Sequence, residues 1–218
     1  MMYVAGLDEC GTGALAGPIV ACCVAVEAPV GGVEQLKSWW PIKGVTDSKK
    51  LTEASRNKLQ VLLIDYIIDN CGEIGIGEAD HSEIDTFGHE SAWRLAMQRA
   101  FAAMHASRKI DRLITDGDRP VGISGVIEMA FPKADKNFFH VAAASIIGKV
   151  HRDKLMVQLD KQFPGYDLAS SKGYPTGSHI WAVDRYGLTP EHRAKPCATV
   201  LRKWRLNSGG VPKSRPPA

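Results

Sequence analysis

The first 26 residues contain two apolar runs that predict a pair of β-strands. The runs cover residues 3–7 and residues 19–26, and a glycine-punctuated segment separates them. Short apolar runs bounded by turn residues are typical of buried strands. The first run ends at two adjacent carboxylates, Asp8 and Glu9. Neighbouring side chains of a strand point to opposite faces, so both carboxylates can serve one site only where the strand ends and its backbone bends.

The middle of the chain alternates helical periodicity with short apolar runs. A helix is predicted to start near Thr52, a favourable N-cap residue, with Glu53 in its first turn. Its apolar stripe consists of Leu59, Leu62, Leu63, Tyr66 and Ile67. A second helical stretch opens at residues 82–85, and its stripe consists of Trp93, Met97, Ala100, Phe101 and Met104. Short strands are predicted at residues 73–78, 112–115 and 126–130, and a loop at residues 29–41.

Helices dominate the C-terminal half of the chain. A long helix is predicted over residues 141–163, and a later one ends at Tyr186-Gly187, where glycine suits the C-terminal position. A further helix is predicted to start at Thr189-Pro190, because proline suits a first turn. Early strands followed by helices predict an α/β sheet with a C-terminal helical appendage. We expect one domain over residues 1–207 and a flexible basic tail over residues 208–218.

Composition places the chain among ordinary globular proteins. Hydrophobic residues make up 44% of its 218 residues, which is enough for a normal core, and no apolar run is long enough to span a bilayer. The five cysteines are odd in number and form no C-x-x-C pair, so neither a disulfide framework nor a zinc site is expected. The N-terminus leads directly into the first strand without a signal peptide, and we expect a cytoplasmic protein.

Basic residues are concentrated at the C-terminal end, although the net charge of the chain is only +3. No acidic residue follows Glu191, and the basic residues beyond it are Arg193, Lys195, Arg202, Lys203, Arg205, Lys213 and Arg215. A basic end of this kind often contacts phosphates. It can equally be a solubilising tail, and both interpretations stay open.

The acidic pair and the glycines after it are the first candidates for chemistry. Gly11 and Gly13 carry no side chain and let a ligand approach the backbone closely. An Asp-Glu pair alone is more often a solvated turn. A phosphate-binding P-loop is excluded, because no lysine follows Gly11 and no helix-forming segment follows the turn. Two carboxylates beside bare amides suit a metal-bound phosphodiester.

Ordered motifs along the chain strengthen this interpretation. The string from Asp8 to Pro18, D-E-C-G-T-G-A-L-A-G-P, resembles the opening motif of type 2 ribonucleases H, the ribonuclease HII and HIII group. Further matches follow in order at Asp47-Ser48-Lys49-Lys50-Leu51, Ile114-Thr115-Asp116-Gly117, Lys133-Ala134-Asp135, residues 143–150 and residues 172–176. The resemblance covers residues 3 to 190. It implies a ribonuclease H-like fold, with a central mixed sheet flanked by helices.

The resemblance also implies a carboxylate site. Asp8, Glu9, Asp116 and Asp135 occupy the family's four acidic positions, which makes them the expected catalytic and metal-binding residues. Phosphodiester hydrolysis needs charge stabilisation on the attacking and the leaving oxygen, and two divalent ions can supply it. Oxygen ligands are those that Mg²⁺ prefers. We therefore expect Mg²⁺ or Mn²⁺, two ions with substrate, and products with 5′-phosphate ends.

Substrate contacts are expected at nine further positions. They are Gly11, Thr12, Gly13, Ser48, Lys49, Ser145, Lys149, Lys172 and Tyr174. Ser48 and Lys49 precede a helix N-terminus, where backbone N–H groups favour anions, although each lysine can also be a plain exposed charge. In ribonuclease HII the tyrosine matching Tyr174 lies at the RNA–DNA junction beside the 2′-OH, the group that separates RNA from DNA. The expected partners are RNA·DNA hybrids and ribonucleotide-containing DNA duplexes. We expect the protein to be a monomer and to have no membrane partner.

One departure from the family pattern leaves the specificity open. Ribonuclease HII usually has arginine at the position of Thr12, whereas ribonuclease HIII often has threonine. The segment Lys172-Gly173-Tyr174-Pro175 nevertheless resembles the HII pattern, so an HII-like endoribonuclease that also incises at embedded ribonucleotides is favoured. The alternatives are an HIII-like hybrid nuclease without junction specificity, a DNA-directed nuclease or a resolvase of the same fold, and a hybrid-binding protein without activity.

Overall fold

A computed structural model of the chain describes residues 1–45, 48–104 and 108–208. These residues form two compact units. The sheet unit comprises Met1–Cys10, Val20–Glu78 and Trp93–Val150. The helical unit comprises Gly11–Ile19, Ala79–Ala92 and the residues from His151 onward. No helix in the described ranges is long and apolar enough to cross a membrane. The predicted tail lies outside these ranges apart from Ser208, and the single domain over residues 1–207 stays a prediction.

The chain contains five strands and eight α-helices in its described part. The strands are β1 Met2–Cys10, β2 Ile19–Ala28, β3 Glu73–Ala79, β4 Arg112–Asp116 and β5 Glu128–Phe131. The helices are α1 Val33–Ser38, α2 Glu53–Asp69, α3 His81–Phe87, α4 His89–Ala103, α5 Phe139–Gln162, α6 Leu168–Ser171, α7 Gly177–Tyr186 and α8 Ala194–Ser208. Two short 3-10 turns lie at Ser48–Lys50 and Ala134–Lys136.

The strands form one mixed sheet in the order β3-β2-β1-β4-β5. Strand β1 pairs antiparallel with β2, with Asp8 opposite Cys22. It pairs parallel with β4, with Leu7 opposite Thr115, and β4 pairs parallel with β5. This confirms the predicted mixed sheet with flanking helices. Because parallel strands end at the same edge, the residues after Leu7 and Thr115 share one edge of the sheet.

Two glycines let helix α5 approach the sheet closely. A Cβ atom on Gly6 of β1 would lie 2.5 Å from the backbone carbon of His140. A Cβ atom on Gly148 of α5 would lie 3.1 Å from the Cβ of Cys22 in β2. Residues 138 and 139 and the apolar face of α5 are fully buried in the core of the sheet unit. The close approach is therefore built into the sequence at Gly6 and Gly148.

Helix α2 largely confirms its prediction. Thr52 is the N-cap, and its side chain accepts a hydrogen bond from the Ser55 amide at 3.2 Å. Leu63 and Ile67 are fully buried, as expected from the apolar stripe. Leu62 was wrongly assigned to that stripe, since it is 54% exposed. Its position adjoins Leu63 along the helix and therefore points about 100° away from the buried face.

The segment predicted as a loop at residues 29–41 contains helix α1, so that prediction was wrong in part. The segment is ordered by aromatic packing. The rings of Trp39 and Trp40 make edge contacts with Phe139 of α5, with ring centroids 5.3 and 6.3 Å apart. Leu36 of α1 is fully buried in the same core. Core contacts that periodicity cannot reveal therefore order this short helix.

The last strand begins later than predicted. The expected strand over residues 126–130 is observed as β5, from Glu128 to Phe131. The Glu128 carboxylate accepts hydrogen bonds from the amides of Gly122 and Ile123 at 2.9 and 3.1 Å, and also from the amide of Val121. These bonds organise the connection before β5 as a turn.

The helix predicted to start at Thr189-Pro190 begins only at Ala194. Within the helical unit, the preceding residues are held by other bonds. The amide of Thr189 donates to Nδ1 of His192 at 3.0 Å, and the amide of Arg193 donates to the Leu15 carbonyl at 2.8 Å. Ala16 and His192 form an isolated antiparallel bridge. The earlier helix α7 ends at Tyr186 with Gly187 (φ 85°) as its C-cap, as predicted.

His140 should make the stability of the chain depend on pH. Its side chain is fully buried, and neither ring nitrogen has a hydrogen-bond partner in the described part of the chain. Burial lowers the pKa of His140 to about 3, whereas an exposed histidine titrates near 6.5. Below pH 6.5 the unfolded chain binds a proton that the folded chain does not, so stability falls as pH falls.

We predict that His140→Leu raises the free energy of unfolding by about 1–3 kcal/mol at pH 7, since it removes an unsatisfied buried polar group. The gain should grow as the pH falls toward 4. Urea titrations of both proteins at pH 7 and pH 4.5 would measure it. A difference that is the same at both pH values would show that His140 is not buried in its neutral form.

Candidate active site

Two strand ends bring carboxylates to one edge of the sheet. Asp8 and Glu9 lie at the end of β1, and Asp116 is the last residue of β4. The parallel register of these strands places Asp8 and Asp116 at the same edge. The amide of Glu9 donates to Oδ1 of Asp8 at 2.8 Å. Asp8 is only 6% exposed, so its carboxylate is held inside the protein.

Asp135 reaches the same region through a backbone bond. The amide of Ala134 donates to Oδ1 of Asp116 at 2.7 Å. The preceding residue, Lys133, has left-handed backbone geometry (φ 62°), which turns the chain into the 3-10 turn that carries Asp135. Asp135 is 7% exposed. The bond from Ala134 therefore fixes the start of that turn against the end of β4.

The carboxylates are crowded enough to disfavour full ionisation. Burial raises the pKa of Asp8 well above its usual range, and the negative charges of Glu9 and Asp116 raise it further, against a hydrogen bond from Ser145. Burial also raises the pKa of Glu9, and the charge of Asp116 adds to it. A hydrogen bond from Trp93 and the charge of Lys49 act in the opposite direction. A cation at this edge would relieve the repulsion.

Hydroxyl groups connect the acids to the turn before α2. The Oγ atoms of Ser48 and Ser145 lie 3.0 Å apart, and Ser145 also hydrogen-bonds Asp8. A guanidinium nitrogen of Arg56 donates to the Ser48 carbonyl at 3.0 Å and holds this turn. Lys149 lies on α5 and is partly exposed. Asp47, the first residue of the matching motif, lies outside the described residues.

The glycine-rich loop after β1 belongs to the helical unit and is held by two buried arginines. Arg193 donates to the carbonyls of Thr12, Ala14 and Gly17 at 2.8 to 3.0 Å. Arg152 donates to the carbonyls of Pro18, Ala16 and Lys172 at 2.7 to 3.2 Å. Both side chains are fully buried. Sequence reasoning missed the role of Arg152. It also placed Arg193 among phosphate-contacting or solubilising residues, which is wrong because Arg193 is buried.

Gly11 is required by its neighbours. Its φ of 85° is left-handed, and a Cβ atom there would lie 2.1 Å from Nε of Arg152. Its amide donates to the hydroxyl of Tyr174 at 3.2 Å. The guanidinium carbon of Arg152 lies 5.4 Å from the centre of the Tyr174 ring. By contrast, a Cβ atom on Gly13 would meet no atom of the described residues within 4 Å.

The predicted site residues therefore fall into two groups. The sheet unit holds the four acids with Ser48, Lys49, Ser145 and Lys149. The helical unit holds Gly11, Thr12, Gly13, Lys172 and Tyr174. The sequence shows that Arg152 and Arg193 are charged, but no linear pattern shows that their guanidinium groups donate to loop carbonyls.

Among the described residues, the acidic group has donors suited to a metal ion but not a preformed coordination geometry. Across residues 1–45, 48–104 and 108–208, no three His, Cys, Asp or Glu side chains are arranged as a ready coordination site. The chemistry of the donors nevertheless fits a hard divalent cation. They are carboxylates, two of which, Asp8 and Glu9, have pKa values raised by burial, and Mg²⁺ and Mn²⁺ favour oxygen ligands.

The fold and the acidic edge define a nuclease of the ribonuclease H-like class. The structure is similar to the ribonuclease H2 from Pyrococcus horikoshii OT3, with a TM-score of 0.68 and 25% identity, covering 94% of this chain and 99% of that one. The fold is also that of Bst-RNase HIII, solved in complex with Mn²⁺, with a TM-score of 0.61 and 19% identity, over 93% of this chain and 71% of that one.

Sequence comparison narrows the class to one family. The family model described as Ribonuclease HII matches residues 5–203. The chain is 40% identical over 200 residues to the ribonuclease HII of Psychromonas ingrahamii, covering 91% of this chain and 90% of the relative. The chain therefore belongs to the ribonuclease HII family. It is a type 2 ribonuclease H, an endoribonuclease.

The crowded carboxylates should destabilise the folded chain when no cation is present. A carboxyl group whose pKa is raised on folding stabilises the folded chain at low pH, and this contribution is lost as the pH rises. The ionised carboxylates therefore lower the free energy of unfolding at neutral pH. We predict that Asp8→Asn raises the melting temperature in EDTA at pH 7.5, by about 2–4 °C for each kcal/mol of relieved repulsion. Differential scanning calorimetry would measure it, with Asp118→Asn as the exposed control. An equal or lower melting temperature for Asp8→Asn would contradict the predicted repulsion.

Proposed function

We propose that this chain hydrolyses the RNA strand of RNA·DNA hybrids and incises DNA duplexes at embedded ribonucleotides. The observation that carries the proposal is the charge coupling of Asp8, Glu9 and Asp116 at one edge of the mixed sheet. An edge with buried, mutually repelling carboxylates is suited to a cation-assisted reaction on a phosphodiester. Membership of the ribonuclease HII family supports the choice of RNA as the strand that is cut.

The four acids would hold Mg²⁺ or Mn²⁺, with two ions expected when substrate is bound. Bound cations would supply charge stabilisation to the attacking and leaving oxygens and favour deprotonation of water. Asp8 and Asp116 sit on strand ends, whereas Asp135 follows the backbone bond to Asp116. The proposed products carry 5′-phosphate and 3′-hydroxyl ends, with water as the nucleophile.

Recognition is proposed to use charged side chains, hydroxyls and a backbone loop. Lys49 and Lys149 provide positive charge, the Ser145 hydroxyl hydrogen-bonds Asp8, and the Ser48 hydroxyl lies 3.0 Å from that of Ser145. Gly11, Thr12 and Gly13 present a loop whose carbonyls at Thr12 and beyond are turned toward buried arginines. Lys172 and Tyr174 follow in the same unit. The proposal includes action as a monomer in the cytoplasm.

A second candidate function is a hybrid nuclease that lacks junction specificity. The observation that favours it is Thr12, which offers a short neutral hydroxyl where ribonuclease HII usually has arginine. A guanidinium would add a charge-assisted phosphate bond that threonine cannot make. Backbone amides can still contact a 2′-OH whatever the side chain. We therefore propose retained but weakened preference for a junction.

Catalysis should depend on the acids and on a divalent cation. We predict that Asp116→Asn lowers hybrid cleavage in Mg²⁺ by at least about a hundredfold, since several kcal/mol of transition-state stabilisation are lost. Hybrid binding in Ca²⁺ should survive. The matched control is Asp118→Asn, whose carboxylate is 80% exposed and pairs with Arg119. Cleavage assays and gel shifts would measure both properties.

The same assay distinguishes an enzyme from a hybrid-binding protein. EDTA should abolish cleavage by the wild-type chain. Near-normal turnover of Asp116→Asn would remove this residue from the proposed metal site. Gel shifts without any cleavage by the wild-type chain in Mg²⁺ or Mn²⁺ would support the binding protein instead.

Specificity should respond to position 12 and to Tyr174. We predict that Thr12→Arg raises the ratio of single-ribonucleotide incision to cleavage within RNA tracts, because an added charged hydrogen bond is worth about 1.5–3 kcal/mol. Tyr174→Ala should lower that ratio. Rates on a hybrid and on a duplex with one ribonucleotide would give it. An unchanged ratio in both variants would remove these residues from the specificity argument.

A further inference from the structure

Two buried histidines of the helical unit lie behind Tyr174. The Nδ1 atom of His179 lies 2.9 Å from the Tyr174 carbonyl oxygen. The Nε2 atoms of His179 and His192 lie 3.1 Å apart. The Nδ1 atom of His192 lies 3.0 Å from the amide nitrogen of Thr189 and 2.8 Å from its hydroxyl. One continuous line of hydrogen bonds therefore runs from the Thr189 amide through the rings of His192 and His179 to the Tyr174 carbonyl.

The ends of this line determine the tautomer of each ring. A backbone amide can only donate, so Nδ1 of His192 must accept the bond from Thr189 and carries no proton. Neutral His192 then has its proton on Nε2 and donates it toward Nε2 of His179. That nitrogen must accept, so His179 carries its proton on Nδ1, which donates to the Tyr174 carbonyl. Only this assignment satisfies every bond with both rings neutral.

We propose that the His179–His192 pair, locked in this tautomer order, positions Tyr174 for recognition of the ribonucleotide-containing strand. The proposal rests on the substrate role of Tyr174 proposed above. His179 and His192 are positioning residues, since neither is assigned a substrate contact. The line acts on the Tyr174 backbone, whereas the Tyr174 hydroxyl is set separately by its bond from the Gly11 amide. The Tyr174 carbonyl also accepts a bond from the Thr176 amide at 2.8 Å, and the Tyr174 amide donates to the Ser171 carbonyl at 2.9 Å. The His179 bond therefore adds a side-chain contact to a backbone that these two bonds also hold.

The same segment is tied to the glycine-rich loop. Ala16 pairs with His192 in the isolated bridge, and the amide of Gly17 donates to the Glu191 carbonyl at 3.0 Å. The amide of Leu15 donates to the carbonyl of Gly173, the residue before Tyr174. Loop, tyrosine and histidine pair are thus joined by direct bonds, so a change in the pair would reach Tyr174 over a short path.

The surroundings keep both rings neutral. Burial lowers the pKa of His179, although the hydrogen bond to the Tyr174 carbonyl and the charge of Asp167 act to raise it. Burial lowers the pKa of His192 to about 4, and His179 and His81 contribute in the same direction. The ring of Tyr166 lies 5.2 Å from that of His192, and Glu191 pairs with His81 at 3.5 Å. A proton added to Nε2 of His179 would face the N–H of His192, and one added to Nδ1 of His192 would face the Thr189 amide, so either would break the line.

Two substitutions at one position separate the two bonds of His179. His179→Asn keeps a donor near the Nδ1 position and should retain the bond to Tyr174. His179→Gln places its amide near the Nε2 position and should keep only the bond from His192. We expect His179→Gln to lower single-ribonucleotide incision roughly three- to tenfold while tract cleavage stays close to wild type. His179→Asn should stay within about twofold of wild type on both substrates, since its key hydrogen bond is kept.

Imidazole ¹⁵N NMR of the full chain at pH 7 tests the tautomers without any activity assay. The expected spectrum has His192 protonated on Nε2 and His179 on Nδ1. The reverse assignment, or a doubly protonated ring, would overturn the proposal.

Tyr174→Ala separates failure of this inference from failure of the proposed function. If Tyr174→Ala leaves the ratio of the two rates unchanged, the substrate role of Tyr174 is wrong, and the positioning role falls with it. If Tyr174→Ala lowers the ratio but His179→Asn and His179→Gln behave alike, only the histidine proposal is overturned. Melting temperatures of all variants would identify any loss of folding.

Discussion

The parallel pairing of β1 with β4 is the constraint on which the candidate active site depends. It brings Asp8 and Asp116, which are 108 positions apart in the chain, to the same edge of the sheet. The pairing is stabilised from one face by α5, which can approach β1 only because Gly6 has no side chain. Burial then makes the shared edge electrostatically costly, and the raised pKa values of Asp8 and Glu9 express that cost. The same carboxylates that suit a cation-dependent reaction therefore lower the stability of the folded chain.

In the helical unit, hydrogen bonds from buried side chains hold the irregular glycine-rich loop after β1. Loop carbonyls that find no strand partner need donors, and Arg152 and Arg193 supply them from inside the protein. Burying a guanidinium is unfavourable unless its donors are used, so charge and loop satisfy each other. Burial lowers the pKa of Arg193 to about 10, which still leaves it charged at neutral pH. Gly11 completes the arrangement by leaving room for Arg152.

Much of this organisation was readable from local sequence signals. The two apolar runs became β1 and β2, Thr52 became the N-cap of α2, and Gly187 became the C-cap of α7. Such signals are local because they depend on backbone conformation within a few residues. The start of α8 was predicted wrongly for the opposite reason. Arg193 and His192 are engaged with Leu15 and Ala16, which lie far away in the chain.

The sequence by itself determined the order of the five strands and of the longer helices, the mixed sheet, the membership of a type 2 ribonuclease H family and the identity of the acidic candidates. It could do so because motifs and periodicities are short-range properties of the chain. Only the tertiary structure decided that Arg152 and Arg193 are internal donors, and that His179 and His192 form one line behind Tyr174. The sequence does not show whether a basic or histidine side chain is exposed to solvent or hydrogen-bonded to a carbonyl. Its burial and its partners are set by segments that are distant along the chain and meet only when the chain folds.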